Sequence, residues 1–148
     1  MDVPKFAIRI ARQQDSAEIT RLAGQLGYPV TENVMRERLC KLVASSNDVV
    51  LVAETKDGVL AGWVHGFLSQ LLESDFRVEI GGMIVDERCH RQGIGRALVK
   101  HIEEWAGGHG VGEVSVRCRT TREEAHQFYQ SLGFQAAKTQ IAFRKKLS

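Results

Sequence analysis

Residues 79–105 read EIGGMIVDERCHRQGIGRALVKHIEEW. The stretch opens with a short apolar run, 80–85, that reads as a strand. A basic turn follows over 88–95. Beyond it Ile94, Ala97, Leu98, Ile102 and Trp105 recur near the 3.6-residue period of an amphipathic helix. A glycine-rich turn at a helix start leaves several backbone N–H groups unpaired and converging, where the helix dipole favours negative charge. Arg88, Arg91, Arg96 and Lys100 add full positive charges around the same point. The physical reading is a socket for a phosphate or diphosphate.

Two nucleotide-binding signatures do not account for it. No Gly-Lys-Ser/Thr follows the glycines, so the turn is not a P-loop. The third glycine of the dinucleotide fingerprint is replaced by Leu98, and position 115, about twenty residues on, is serine rather than an acid.

Working outward, the chain of 148 residues is long enough to bury about two-thirds of its unfolded surface as one domain. Hydrophobic content of 43% and charged content of 26% are those of an ordinary soluble globular protein. A net charge of +2 is too small to argue for nucleic acid or a membrane surface. Cys40, Cys89 and Cys118 are far apart and form no C-x-x-C pair, so neither a disulfide framework nor a metal site is indicated. With no apolar run near the ~18 residues that cross a bilayer and no signal-peptide core, a cytoplasmic setting is the expectation.

In chain order, residues 6–11 alternate as a half-buried strand, and Asp15 with Glu18 resembles a capping box opening a helix through Ile19, Leu22, Ala23 and Leu26. Thr31 caps a second helix with Met35, Leu39, Leu42 and Val43 along one stripe. Residues 48–54 and 59–68 form a hairpin about Lys56-Asp57-Gly58, placing Trp63, His65 and Phe67 on one face. The loop 70–75 carries Glu73 and Asp75, an acidic rim. Residues 113–119 read as another strand, Thr121 and Glu124 as a capping box for a helix ending at Gly133, and 139–147 as a closing strand through Ile141 and Phe143. The expected fold class is mixed α/β: a central, mostly antiparallel mixed sheet with helices on both faces.

Two motifs now identify a resemblance. His90-Arg91-Gln92-Gly93-Ile94-Gly95 is similar to the Gln/Arg-x-x-Gly-x-Gly/Ala turn of the GCN5-related N-acetyltransferase (GNAT) superfamily, and Ala125-His126-Gln127-Phe128-Tyr129-Gln130-Ser131-Leu132-Gly133-Phe134 resembles its A-x-x-F-Y-x-x-L-G-F signature. The resemblance covers nearly the whole chain. It implies acetyl transfer from acetyl-CoA, without a metal, to a primary amine by direct attack in a ternary complex. Arg91, Gln92, Gly93, Ile94, Gly95 and Arg96 would hold the diphosphate. The main chain of Met83, Ile84 and Val85 would serve the pantetheine amides and the thioester oxygen. His90 departs from the family's Gln or Arg. Arg122 stands where many members have an asparagine that contacts pantetheine, and would itself reach a CoA phosphate or be exposed.

The chemistry sets demands of its own. At pH 7 an alkylammonium offers roughly one free amine per two thousand, so a base is required. Glu79, fourteen residues before Gly93, is the leading candidate, with His65 or a water as alternatives. Tyr129 is the general acid implied by the family, and Arg122, Ala125, Tyr129 and Leu132 share one helical face. Cys89 would serve only in an acyl-enzyme route. The expected acceptor is a small-molecule amine of aminoglycoside or polyamine type, then a protein N-terminus or lysine. The rival is a CoA-binding regulatory module without turnover. The acceptor pocket is expected at the joint of the first two helices and the loop 70–75, and homodimers are common among relatives.

Overall fold

Five strands pair into one sheet: β1 (Phe6–Ile10), β2 (Asp48–Thr55), β3 (Leu60–Ser69), β4 (Arg77–Val85) and β5 (Val114–Val116). Their spatial order is their chain order. The first four are antiparallel to their neighbours, while β5 runs parallel to β4. Among the described residues, four α-helices, α1 (Ser16–Gln25), α2 (Glu32–Ala44), α3 (Ile94–Gly108) and α4 (Glu123–Ser131), and two short 3-10 turns, Gln13–Asp15 and Glu87–Cys89, complete the regular structure. The computed structural model describes residues 5–148 and divides into a unit ending at Val116 and a unit from Arg117 to Ser148.

In the first unit the sheet is covered on both faces, as the alternation predicts. Val50 and Val52 of β2 pack with Ile19 and Leu22 of α1 and Leu39 of α2, joined by the half-buried Trp63 and Ile84. The opposite face receives α3. A Cβ added at Gly62 would stand 2.8 Å from the Ile84 carbonyl oxygen and 3.3 Å from the Ile94 side chain, so this glycine permits close approach of helix and sheet. The buried stripe of α3 is Ile94, Leu98, Val99, Ile102 and Ala106; of the expected face Ile94, Leu98 and Ile102 are buried, while Ala97 and Trp105 at its margins are half-buried.

Polar anchors differ from the capping predicted. Asp15 does not cap α1 with its side chain. Its carboxylate instead accepts from the Arg12 N–H at 2.7 Å and from Arg9 at 2.8 and 2.9 Å. Burial opposes ionisation of Asp15, but these bonds prevail and lower its pKa. Glu18 turns outward to Arg21 (2.8 Å) and accepts from the Leu60 N–H (3.1 Å), tying α1 to β3. Thr31 does cap α2, accepting from the Val34 N–H at 3.2 Å.

Two strand predictions are corrected. The strand expected over 113–119 is paired only at Val114–Val116, because the register of β4 shifts at Gly81. The extra residue bends β4 away just beyond Ile80, the last residue opposite β5. In the second unit, the closing strand expected over 139–147 does not form. The segment has no ladder partner among the described residues, and Ile141, Phe143 and Leu147 stand 78%, 89% and 88% exposed. Thr121 likewise does not cap α4, whose N-cap is Arg122 without a side-chain bond, although Gly133 ends the helix as predicted with φ 96°.

Candidate functional site

The turn joining β4 to α3 is pinned at its first residue. Asp86 is 1% exposed, and its carboxylate accepts from the Arg88 N–H (3.0 Å), the Arg88 guanidinium (3.1 Å) and Arg21 (3.0 Å). The Arg88 bond, aided by Arg21 and against the effect of burial, holds the Asp86 carboxyl far below the ordinary carboxylate range. Arg88 was expected among the phosphate-facing cations. The structure commits it to Asp86. Arg91, Arg96 and Lys100 are exposed and make no ion pair among the described residues.

The backbone of the turn is unusual where the motif lies. Arg91 (φ 67°) and Gly93 (φ 78°) both adopt the left-handed conformation. For a residue with a Cβ that costs about 1–2 kcal/mol, so Arg91 is held there by its surroundings. Turns built this way gather successive N–H groups into an anion-binding concavity. Gly93 is also the N-cap of α3. It has no side-chain oxygen to satisfy the first N–H groups of the helix, and no acid lies in the first turn. Ile94 and Gly95 are buried beneath it, while Gln92 and Arg96 face outward. The fit to a diphosphate therefore rests on uncapped main-chain donors and unpaired cations at one place.

Upstream, β5 pairs with β4 only from Val78 to Ile80. Among the described residues, Met83, Ile84 and Val85 consequently have a strand partner on the β3 side alone. Their outward edge offers main-chain groups to an extended ligand. Glu79 is half-buried and lies opposite Phe67, about 20 Å of extended strand from Val85.

The face that carries Glu79 also carries Phe67, His65 and Trp63. His65 Nε2 lies 2.8 Å from Asp48 Oδ1, and its Nδ1 lies over the bulge at Gly81. The Trp63 benzo ring covers Gly82. Between α1, α2 and this face is a cavity of about 210 Å³, lined by Ile19, Met35, Leu39, Leu42 and Val50 with Trp63, His65 and Arg38. Trp63 Nε1 is buried and has no hydrogen-bond partner among the described residues. The cavity lies under α1 and α2, and no residue of 70–75 lines it. The alternation of β3 signalled Trp63 and His65. Arg38 and Asp48 had no local signal, because α2 and β2 bring them in from elsewhere in the chain.

In the second unit, Tyr129 on α4 packs edge-on against Phe128 and Phe134, with ring centroids 5.0 and 5.4 Å away. Burial pushes its phenol up to about 12, the neighbouring Cys118 adding to the rise and Arg122 opposing it. Arg122 is exposed. Cys118 is itself raised by burial, which keeps it a thiol, and Cys40, Cys89 and Cys118 are all free. Among the described residues, no three His, Cys, Asp or Glu side chains cluster as metal ligands, and no helix is long and apolar enough to cross a membrane.

The mixed sheet thus has a fourth strand that parts from the fifth and leads into a glycine turn at the start of a helix. Residues 10–134 match the Acetyltransferase (GNAT) family, and the chain belongs to it. It is 25% identical to an aminoglycoside N(6')-acetyltransferase type 1 of Stenotrophomonas maltophilia over 95% of this chain and 93% of that one. Identity to N-acetylaspartate synthetase of Rattus norvegicus is 36% over 51% of the chain, which spans only 26% of that relative's length. Among solved structures, the aminoglycoside 6'-N-acetyltransferase AAC(6')-Ih of Acinetobacter baumannii superposes with a TM-score of 0.84 at 19% identity, covering 97% of this chain and 99% of that one. AAC(6')-Iy, in complex with a bisubstrate analogue containing CoA, superposes with a TM-score of 0.84 at 18% identity over 96% and 99%.

Proposed function

We propose that the protein transfers the acetyl group of acetyl-CoA to a primary amine on a small molecule, by direct attack in a ternary complex. The observation that carries this reading is the turn of Arg91 and Gly93, left-handed at both residues and uncapped at the start of α3. Main-chain N–H groups from Gln92 to Arg96 would grip the diphosphate, with Arg91 and Arg96 supplying charge. The open edge of Met83, Ile84 and Val85 would take the pantetheine amides and polarise the thioester oxygen. CoA supplies the activated acetyl group and a thiolate leaving group.

Glu79, directly or through an ordered water, first takes a proton from the ammonium, and the neutral amine attacks. The N–C bond forms as the C–S bond breaks, the electron pair leaves on sulfur, and the second proton of the acylated nitrogen goes to the departing thiolate, giving the amide and CoA thiol. Tyr129 is the proposed acid, on its place in the second motif and on the burial that keeps its phenol protonated. A thiol near ~8.5 is a stronger acid than a phenol near 12, so full transfer from Tyr129 is uphill by about 5 kcal/mol. Its contribution is therefore a hydrogen bond to the developing thiolate rather than early protonation. Arg122 would meet a CoA phosphate.

Aminoglycosides, named in several relatives, belong in the first acceptor panel, with polyamines, amino acids and lysine peptides beside them. The test is steady release of free thiol. A catalyst turns over many equivalents of acetyl-CoA, whereas a CoA-binding module stops after binding. Glu79→Gln should lower kcat about a hundredfold with the acetyl-CoA KM unchanged. Tyr129→Phe should lower kcat while still binding acetyl-CoA. Full kcat in either variant removes the role assigned to that residue.

A further inference from the structure

We infer that the cavity between α2 and the β2–β3 face seats the acceptor, and that the acceptor is a small apolar amine carrying a carboxylate rather than a polycation. This rests on the acetyltransferase reading above and narrows its substrate. Three features of the cavity support it.

The first is size and polarity. Benzene fills an apolar cavity of about 150 Å³, so one of about 210 Å³ holds roughly eight heavy atoms, such as a benzyl or branched alkyl group. Its walls, Ile19, Met35, Leu39, Leu42 and Val50, offer such a group contact and offer an ammonium none. The second is an excess of donors. Trp63 Nε1 is buried without an acceptor, and Arg38, at the exposed side of the same lining, makes no ion pair among the described residues. Buried donors are ordinarily satisfied, so an orphaned indole N–H and an unpaired guanidinium in one lining call for a ligand bringing oxygen. A second ammonium on the ligand would face Arg38 with the wrong sign.

The third is the distribution of carboxylates. None lines the cavity. Those of this sheet face, Asp48, Glu54 and Glu79, belong to β2 and β4; Asp48 is already bound to His65 and Glu54 to Arg9. An amino carboxylate placed with its apolar body inward would set its carboxylate towards Arg38 and its amine on the side of β4, where Glu79 is the proposed base. His65, its ring held by Asp48, closes the cavity between those two ends.

The experiment uses the full chain with Trp105→Phe, which leaves Trp63 as the one tryptophan and its emission as a binding signal. L-Phenylalanine, phenethylamine, spermidine and kanamycin are titrated with CoA present, and thiol release is measured in parallel with acetyl-CoA. Phenylalanine should change Trp63 emission and bind tightest. Adding the surface substitution Arg38→Ala should weaken it about tenfold or more and leave phenethylamine nearly unchanged. Tighter binding of spermidine or kanamycin, no Trp63 response to phenylalanine, or no effect of Arg38→Ala would overturn the inference. Thiol release without any Trp63 response sinks the pocket assignment and spares the acetyltransferase reading. A Trp63 response without thiol release does the reverse.

Discussion

Replacing Asp86 by asparagine tests the turn where fold and proposed cofactor site meet. The carboxylate is 1% exposed and takes charged donors from Arg21 at 3.0 Å and Arg88 at 3.1 Å, besides the Arg88 N–H at 3.0 Å. Asparagine keeps one acceptor for that N–H but turns a donor towards a guanidinium. Breaking a buried pair costs about 3–5 kcal/mol when a charge is stranded. Here Arg21 retains Glu18 at 2.8 Å and the Leu60 carbonyl at 3.1 Å, and Arg88 is 71% exposed, so neither arginine is stranded. The remaining loss is that of charge-assisted bonds, about 2–3 kcal/mol, or roughly 5–10 °C in Tm.

The pH dependence provides the sign. The folded-state pKa of Asp86 is depressed, so its stabilisation is complete well above the unfolded value near ~3.9 and fades as pH falls towards the folded one. Urea unfolding of both proteins should therefore show the full gap at pH 7 and a narrowing gap below about pH 5. The acetyl-CoA KM should rise as well, since Asp86 fixes the entry to the turn. A gap under about 0.5 kcal/mol, or one equally large at pH 7 and pH 3, would refute the argument.

Glycine substitutions separate conformation from space. Gly93→Ala meets no atom within 4 Å but must hold φ 78°, so it should cost about 1–2 kcal/mol and weaken acetyl-CoA binding, measured by calorimetry; unchanged affinity would remove the turn from the site. Gly62→Ala places a methyl 2.8 Å from the Ile84 carbonyl oxygen and should destabilise by about 1–3 kcal/mol in urea unfolding. Gly24→Ala, exposed on α1 with open space around it, should instead stabilise by up to about 1 kcal/mol, and a loss there would mean the helix is misread.

What the amino-acid order determined alone is what short-range physics controls. The β4–turn–α3 unit, the buried stripe of α3, the hairpin at Gly58 and the stop at Gly133 each depend on periodicity or backbone conformation within a few residues. The two family motifs are local in the same sense. Long-range pairing decided the rest. Arg88 reads in the sequence as one of the charges around the turn, but Asp86, buried against Arg21 of α1, takes it. The strand over 113–119 was trimmed by a bulge in its neighbour, and 139–147, strand-like in pattern, found no ladder to join. The cavity of Arg38, Trp63 and His65 exists only because α2 folds over β2 and β3, three segments whose separate patterns say nothing of their meeting. Periodicity reports which face of an element turns inward. It carries no record of what waits there.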